Sequence, residues 1–170
     1  EYSGKKITYF DSDLNESYVP YVVETSIGCD RMFLAMMSNA YTEETVPDAD
    51  GKDSTRTVLK LPPALAPVKC AILPLIRTES GLTETARKLF DDLKFSMNCQ
   101  YDEKDTIGRR YRRQDAVGTP YCVTIDHQTL EDQTVTIRER DTMSQERVPI
   151  TKVSAIIAEK VSLEPMLRKL

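Results

Sequence analysis

The hydrophobic and polar positions of the chain follow one pattern before residue 60 and another after it. Residues 5–10 and 18–26 are rich in aromatic and β-branched side chains, which predicts two strands joined by a polar turn. Residues 28–41 carry Met, Phe and Leu on more than one helical face, which predicts a deeply buried helix. The acidic stretch 42–56 contains proline and glycine, and it predicts a linker.

From residue 67 onward, strand and helix patterns alternate, and a hairpin follows. This order predicts an α/β fold with a mixed sheet of about five strands flanked by helices. We therefore expect two domains, residues 1–60 and residues 61–170. The expected strands are 67–75, 98–103, 119–126 and a hairpin over 133–151, and the expected helices are 79–97, 105–118 and 152–170, the last bent near Pro165.

Composition limits the possible functions. The 170 residues are 40% hydrophobic and 29% charged, which suits one domain or one domain plus part of another. The net charge of −4 does not favour nucleic-acid binding by the whole surface, so any such role requires a local basic patch. No apolar run reaches transmembrane length and no signal peptide is visible, so we expect a cytoplasmic protein without membrane contact. The chain opens without Met, and we expect it to be a fragment of a longer protein.

Cysteine and histidine usage argues against metal chemistry. The four cysteines form no C-x-x-C pair, and His127 is the single histidine. We therefore expect neither a zinc cluster nor a Ser-His-Asp triad, and we expect no bound metal in this chain. Reduced, partly buried thiols in a cytoplasmic protein are the expected state.

One candidate site lies where the second strand meets the helix. Glu24 and Ser26 share one face of a strand, and together they would offer an ammonium group a carboxylate and a hydroxyl. Gly28 permits the turn that follows, and Arg31 opens the helix, where a guanidinium suits a bound phosphate. The alternative is that Glu24 and Arg31 form ion pairs with each other or with neighbouring residues.

A basic cluster at residues 104–121 is a second candidate. Arg109, Arg110, Arg112 and Arg113 surround Tyr111, and arginines beside an aromatic ring suit phosphate contact and base stacking. The alternative is a solvated helix face, which is the usual meaning of a charge run. A third candidate is the hairpin at residues 136–147, which carries alternating charges. Taken on its own, this pattern indicates an exposed sheet edge with salt bridges.

Four segments resemble one known family in the right order. "YVPYVVETSIGCDRMFLAMM" resembles motif 3 of class II aminoacyl-tRNA synthetases, in the form found in dimeric glycyl-tRNA synthetases. "LKLPPALAPVKCAILPL" is similar to that family's entry into its anticodon-binding domain. "IGRRYRRQDAVGTPYCVTID" and "RERDTMSQERVPI" resemble two further stretches of that domain. The resemblance implies that residues 1–60 end a class II antiparallel-sheet catalytic domain and that residues 61–170 form an anticodon-binding domain.

The resemblance also implies roles for the first candidate site. Arg31 would be the catalytic, ATP-binding arginine of motif 3, with Glu24 and Gly28 also at the ATP site. Glu24 and Ser26 would hold glycine, and larger amino acids would be excluded sterically. Thr25 stands where the family usually carries proline, which affects the expected backbone geometry at Glu24.

For the second domain, the resemblance implies binding of tRNA(Gly) through its anticodon stem-loop. The expected contacts are Arg109, Arg110, Arg112, Arg113, Arg138 and Arg140. The whole enzyme would be a cytoplasmic homodimer that uses ATP and Mg²⁺ to form glycyl-adenylate and then esterifies tRNA(Gly). Motifs 1 and 2 are not in these 170 residues, so we expect them to be inactive on their own.

Three other functions fit parts of the pattern. One is a non-catalytic relative of the polymerase accessory-subunit type, against which the joint presence of Glu24, Ser26 and Arg31 argues. Another is a synthetase of the same subclass for threonine, proline or histidine, against which the Glu-x-Ser arrangement argues. The third is an RNA-binding domain without a synthetase role, which would not need the motif 3 segment.

Overall fold

A computed structural model describes residues 4–47 and 51–168, and the chain divides into two compact units between Phe33 and Leu34. In the first unit, strand β1 (Tyr9–Asp11) pairs antiparallel with β2 (Glu16–Tyr18). The Asp11 carboxylate closes the turn by accepting a hydrogen bond from the backbone N–H of Asp13 at 2.9 Å. The two predicted strands are therefore present only as a short hairpin.

The segment after this hairpin differs from the prediction. Residues 19–28 form neither helix nor strand, and Tyr21 and Val23 are fully or almost fully exposed. The prediction of a buried strand over 18–26 is wrong for this chain. β-branched composition marks a segment that can form a strand, but a strand also needs a neighbour for its backbone groups, and the described residues provide none here.

The predicted helix is present as α1 (Cys29–Ala40), but its predicted burial is wrong. Met32, Phe33 and Leu34 are each more than half exposed, and Ala40 is its buried residue. An apolar sequence shows what a helix could bury, whereas actual burial depends on a packing partner.

The predicted linker at 42–56 is also wrong, because this stretch forms most of a β-hairpin. Strand β3 (Tyr41–Pro47) pairs antiparallel with β4 (Asp53–Leu59) over their whole length. Exposed and buried positions alternate in both strands, and Arg56 and Val58 of β4 point inward. Because charged and hydroxyl residues occupy both the inward and the outward positions, the sequence shows no apolar–polar alternation that would predict these strands. Residues 48–50 lie outside the described part of the chain.

The remainder of the second unit confirms the predicted α/β fold. A five-stranded sheet has the order β6-β5-β7-β8-β9, in which β5 is parallel to β6 and β7, and the other pairs are antiparallel. Its elements are β5 (Cys70–Pro74), α2 (Ser80–Leu93), β6 (Cys99–Tyr101), α3 (Ile107–Val117), β7 (Tyr121–Ile125), α4 (His127–Asp132), β8 (Thr134–Glu139), β9 (Gln145–Pro149), α5 (Val153–Lys160) and α6 (Glu164–Leu167).

Helices cover the sheet on both faces. Alternate residues of the fully buried strand β5 face opposite ways: Cys70 and Ile72 join the larger core with α2 and α5. Ala71 and Leu73 join a smaller core under α3. Burial on both faces accounts for the continuous apolar sequence of β5 and β7. Helix α3 and its arginines therefore lie on the face of the sheet opposite to α2 and α5.

Short elements and boundaries complete the picture. Helix α4 was not expected, although its capping box is visible in the sequence: the Asp126 carboxylate accepts from the backbone N–H of Thr129 at 3.1 Å. The expected C-terminal helix is divided into α5 and α6, with Pro165 inside the first turn of α6. The boundary between residues 60 and 61 stays a prediction. In the part of the chain that the structure describes, no helix is long and apolar enough to span a bilayer.

Candidate nucleic-acid interface

Helix α3 is fixed to the sheet by one face. Ile107 and Tyr111 pack against the smaller core, and the Tyr111 hydroxyl lies 2.6 Å from Thr124 Oγ1 on β7. The ring of Tyr111 also lies under the Arg138 guanidinium, 4.7 Å from ring centroid to Cζ. Burial raises the pKa of Tyr111 above its ordinary value, so this hydroxyl stays protonated at neutral pH.

An open groove runs beside this helix. It has a volume of about 600 Å³ and is bounded by the β3–β4 hairpin, α3 and the β8–β9 hairpin. Cationic, aromatic, amide and apolar side chains all line it. The lining residues are Pro47, Ser54, Gly108, Arg109, Tyr111, Arg112, Arg138, Met143 and Gln145.

The floor of the groove rests on buried ion pairs. Asp115 of α3 is fully buried, and its two carboxylate oxygens accept from Arg138 at 2.8 and 3.0 Å. Arg56 of β4 donates to the same carboxylate at 3.0 Å and to Glu44 of β3 at 2.7 Å. These contacts join the hairpin, the helix and the sheet through charge-assisted hydrogen bonds.

Two of the predicted RNA-binding arginines are structural in this conformation. Arg110 is 1% exposed and donates to the backbone carbonyls of Pro74 and Leu75 at 2.5 and 3.0 Å. Arg140 is also 1% exposed and donates to Gly118 and Leu61 carbonyls, both at 2.8 Å. The arginines of residues 104–121 therefore do not form one wholly exposed basic face: Arg110 turns inward together with Gln114, one helical turn later, whereas Arg109 and Arg113 stay exposed.

The remaining arginines of α3 face solvent to different degrees. Arg109 has a side chain 77% exposed and, among the residues that the structure describes, one long ion pair, 3.9 Å from Asp105. Arg112 is half-buried in the groove wall, and among residues 4–47 and 51–168 it has no ion pair or hydrogen bond. Arg113 is held by Asp102 at 2.8 Å and Asp105 at 3.2 Å, so its charge is partly compensated. Arg112 is therefore the groove cation with the most freedom to bind a ligand.

Sequence reasoning missed several residues of this groove. Met143 and Gln145 of the β8–β9 hairpin line its wall, and Arg56 reaches its base from a segment interpreted as a linker. Met143 has a positive φ of 57°, which few non-glycine residues adopt. The sequence offered one signal, the alternation in β8 and β9, which predicted the hairpin but not the face that meets α3.

The first unit holds the other predicted site. Glu24, Ser26 and Gly28 lie in the exposed segment before α1, and Arg31 lies in the first turn of that helix. In the described residues no hydrogen bond or ion pair joins Glu24, Ser26 and Arg31, so the alternative of a Glu24–Arg31 ion pair is not observed. Their roles in binding glycine and ATP stay predictions.

Comparison with known families identifies the second unit. The family described as "Anticodon binding domain" matches residues 69–160, which is more than half of the chain. The chain belongs to the anticodon-binding domain family. The groove residues on α3 and the β8–β9 hairpin all fall inside the match, whereas the β3–β4 hairpin precedes it.

Curated relatives extend the similarity of this anticodon-binding domain into the first unit. The chain is 51% identical to a glycine–tRNA ligase of Chlorobaculum tepidum over 95% of its length, which is 33% of that protein. It is 49% identical to the Thermobifida fusca glycine–tRNA ligase and 50% identical to that of Rhodopirellula baltica, each over 94% of its length. The chain therefore spans about a third of the length of the curated relatives it matches.

A solved structure supports the fold of the anticodon-binding domain. The prolyl-tRNA synthetase of Cryptosporidium parvum, solved with L-proline and AMP, aligns with 65% of this chain and 24% of its own at a TM-score of 0.57. Sequence identity is 22%, so this likeness concerns the fold alone. The predicted resemblance to glycyl-tRNA synthetases is confirmed by the curated relatives.

Proposed function

We propose that the groove beside α3 binds the anticodon loop of tRNA(Gly), within a glycine–tRNA ligase. The observation that carries this proposal is the composition of the groove wall: Arg112 without a protein partner in the described residues, an aromatic ring, and a side-chain amide face one open volume. The family match and the glycine–tRNA ligase relatives support it.

The groove suits single-stranded RNA better than a duplex. Unpaired bases are bound by aromatic or guanidinium planes and by hydrogen bonds to their edges. Gln145 provides both an amide donor and a carbonyl acceptor, Met143 provides an adaptable apolar surface, and Arg112 can stack or bind phosphate. Arg109, at the exposed margin, is placed to contact the backbone of the same loop.

The arginines that are already bound by protein groups have indirect roles in this proposal. Arg138 lines the groove but is committed to Asp115, so we propose that it orients Tyr111 and contributes positive potential rather than direct phosphate contact. Arg110 and Arg140 hold backbone carbonyls together and are left out of the proposed contact surface. Arg113, shared between two carboxylates, would bind phosphate only weakly.

The first unit belongs to the same proposal. The donor set fits the chemistry of aminoacyl activation, since a carboxylate and a hydroxyl suit an ammonium group and a guanidinium suits phosphate. Glu24 and Ser26 would hold glycine, and Glu24, Gly28 and Arg31 would contact ATP. ATP, with Mg²⁺ as its ion, would supply the leaving group that activates glycine in the whole enzyme. Catalysis by the longer protein, a homodimeric state and a cytoplasmic location are proposed with it.

Binding of defined tRNAs by the full chain tests the proposal. Fluorescence anisotropy would compare tRNA(Gly) with the same tRNA carrying a different anticodon, at one fixed salt concentration. We expect the anticodon change to weaken binding at least tenfold, because the loop bases would no longer form hydrogen bonds through their edges. Equal affinity for both tRNAs would contradict anticodon recognition by this chain.

A further inference from the structure

Two cysteines that are 29 positions apart in the sequence face each other on neighbouring strands of the sheet. Cys70 opens β5 and Cys99 opens β6, and the two are direct partners in the parallel register. Their Sγ atoms lie 3.4 Å apart, at hydrogen-bonding distance. All four cysteines are free thiols in this structure. From this arrangement we infer that Cys70 and Cys99 form a redox-active dithiol that peroxide converts to an intramolecular disulfide.

The backbone already has the spacing that a disulfide requires. Neighbouring strands lie about 4.8 Å apart, which is inside the Cα–Cα range of about 4.4–6.8 Å found in disulfides. Register partners such as Cys70 and Cys99 direct their side chains to the same side of the sheet. The two sulfur atoms therefore need only small side-chain rotations to approach bonding distance.

The two thiols differ in access and in acidity. Cys70 is fully buried, whereas Cys99 is half-buried on β6, which is one of the two edge strands of the sheet as described. The hydrogen bond between the two thiols lowers the pKa of Cys99, and burial opposes this effect. The hydrogen bond with Cys99 and then burial raise the pKa of Cys70. Cys99 is thus the nucleophile that meets the oxidant, and Cys70 is the resolving thiol.

The reaction balances with a hydroperoxide as the oxidant. The Cys99 thiolate attacks one peroxide oxygen, the O–O bond breaks, and a sulfenic acid and a hydroxide (for hydrogen peroxide) are formed; the hydroxide takes up the proton that Cys99 released on ionising and becomes one water. The Cys70 sulfur then attacks the Cys99 sulfur, the S–O bond breaks, and the Cys70 proton leaves with the hydroxyl as a second water. Two thiols are oxidised by two electrons, and the peroxide is reduced by two.

The other two cysteines provide matched comparisons. Burial raises the pKa of Cys122 to about 12, so this thiol has little thiolate at neutral pH. Cys29 is exposed at the start of α1 and has no thiol partner among the described residues. Oxidation of Cys29 would therefore give a sulfenic acid or a bond between chains, and a Cys29→Ser background removes that reaction.

Peroxide treatment of the full chain with Cys29→Ser tests the inference. Free thiols are counted before and after, and a non-reducing digest is searched by mass spectrometry for a peptide pair joined through Cys70 and Cys99. We expect the loss of two thiols per chain, the joined pair, and a higher melting temperature that dithiothreitol reverses. An added Cys122→Ser change should leave this result unaltered.

Three results would overturn it: both thiols surviving peroxide, Cys99 oxidised to sulfinic acid without a joined pair, or a disulfide that contains Cys122. These results are read from the chain with Cys70 and Cys99 intact, so they do not depend on whether a variant at either position folds. A Cys99→Ser variant that folds should keep Cys70 reduced, because the resolving thiol is buried. Oxidation of Cys70 at an unchanged rate in that variant would count against the assigned order of attack.

Discussion

Arg138 on β8 and Asp115 on α3 form a two-pronged ion pair, with nitrogen–oxygen distances of 2.8 and 3.0 Å. Their side chains are 6% and 0% exposed, so the pair is shielded from water. Arg56 of the β3–β4 hairpin completes the arrangement by donating to the same carboxylate. A single buried acid therefore fixes three elements that border the groove.

Removing the charge of Asp115 should be costly. Asp115→Asn keeps the size of the side chain but leaves Arg56 and Arg138 without their shared anion. Breaking a buried pair in this way costs about 3–5 kcal/mol, because an uncompensated charge stays in a poorly solvated site. Urea unfolding of the full chain would measure this loss as a lower midpoint concentration of urea, with the slope of the free energy of unfolding against urea unchanged.

Asp105→Asn is the matched control for that change. Asp105 also pairs with two arginines, Arg109 and Arg113, but its side chain is 43% exposed. Ion pairs at the surface contribute less than about 1 kcal/mol, so this variant should unfold close to the parent chain. A similar loss in both variants would show that the buried network has no special role in stability.

Arginines at the groove should control the salt dependence of RNA binding. Replacing Arg112 by Ala removes the groove cation that has no protein partner in the described residues, and we expect weaker binding to an anticodon stem-loop. The slope of log K against log salt should fall in magnitude by about 0.7 for each phosphate that the variant no longer neutralises. Arg168→Ala, which removes an exposed arginine just after α6, should leave both quantities unchanged. Equal effects of the two variants would exclude a local role for the groove.

The β3–β4 hairpin should lose stability in acid through Glu44. Its carboxylate pairs with Lys60 and Arg56. The hydrogen bond from Lys60 lowers the pKa of Glu44 below its ordinary 4.5, burial opposes this, and Arg56 adds to the lowering. Since the folded pKa is the lower one, this contribution is complete above about pH 4.5 and is lost as the pH falls through the folded value.

Unfolding measured from pH 7 to pH 3 checks this prediction. Glu44→Gln should reduce stability at neutral pH and flatten the decline below pH 4.5, because the group that gains a proton on unfolding is absent. Glu84→Gln, which alters an exposed carboxylate on α2 without an ion pair in the described residues, should keep the parent decline. An unchanged acid decline in Glu44→Gln would contradict the assignment.

The end of α3 depends on a glycine. Gly118 has φ of 83°, and an added Cβ would lie 3.0 Å from the Leu59 carbonyl oxygen. Gly118→Ala should therefore lower the free energy of unfolding by about 1–3 kcal/mol. Gly108→Ala, inside the same helix with nothing within 4 Å of its added Cβ, should be neutral or stabilising. Thermal unfolding of both variants gives the comparison.

Local patterns predicted the five-stranded sheet of the second unit because its central strands β5 and β7 are buried on both faces and helix α2 is strongly amphipathic. The continuous apolar run of β5 indicates a strand buried on both faces, and the glycine at position 118 indicates the end of α3. The hairpin before Leu61 escaped prediction, because acidic and hydroxyl side chains masked its alternation. Residues 19–28 were misjudged for the opposite reason, since their apolar pattern has no strand beside it in the described chain.

The candidate groove was only half visible in the sequence. Clustering indicated that α3 was basic, but it could not show that Arg110 turns inward while Arg112 faces the groove. That difference depends on helical phase relative to the sheet, which a charge count does not contain. Asp115 and Arg56 are 59 positions apart, and no local pattern links two such residues.

Backbone amide NMR of the full chain, titrated with the anticodon stem-loop of tRNA(Gly), tests the central claim most directly. The account predicts saturable shifts at groove residues, led by Gly108, Arg112, Met143 and Gln145, with little change on α2. The same stem closed by an unrelated loop should produce weaker shifts. Shifts confined to α2 and the opposite face of the sheet would contradict the assignment of the groove as the RNA site.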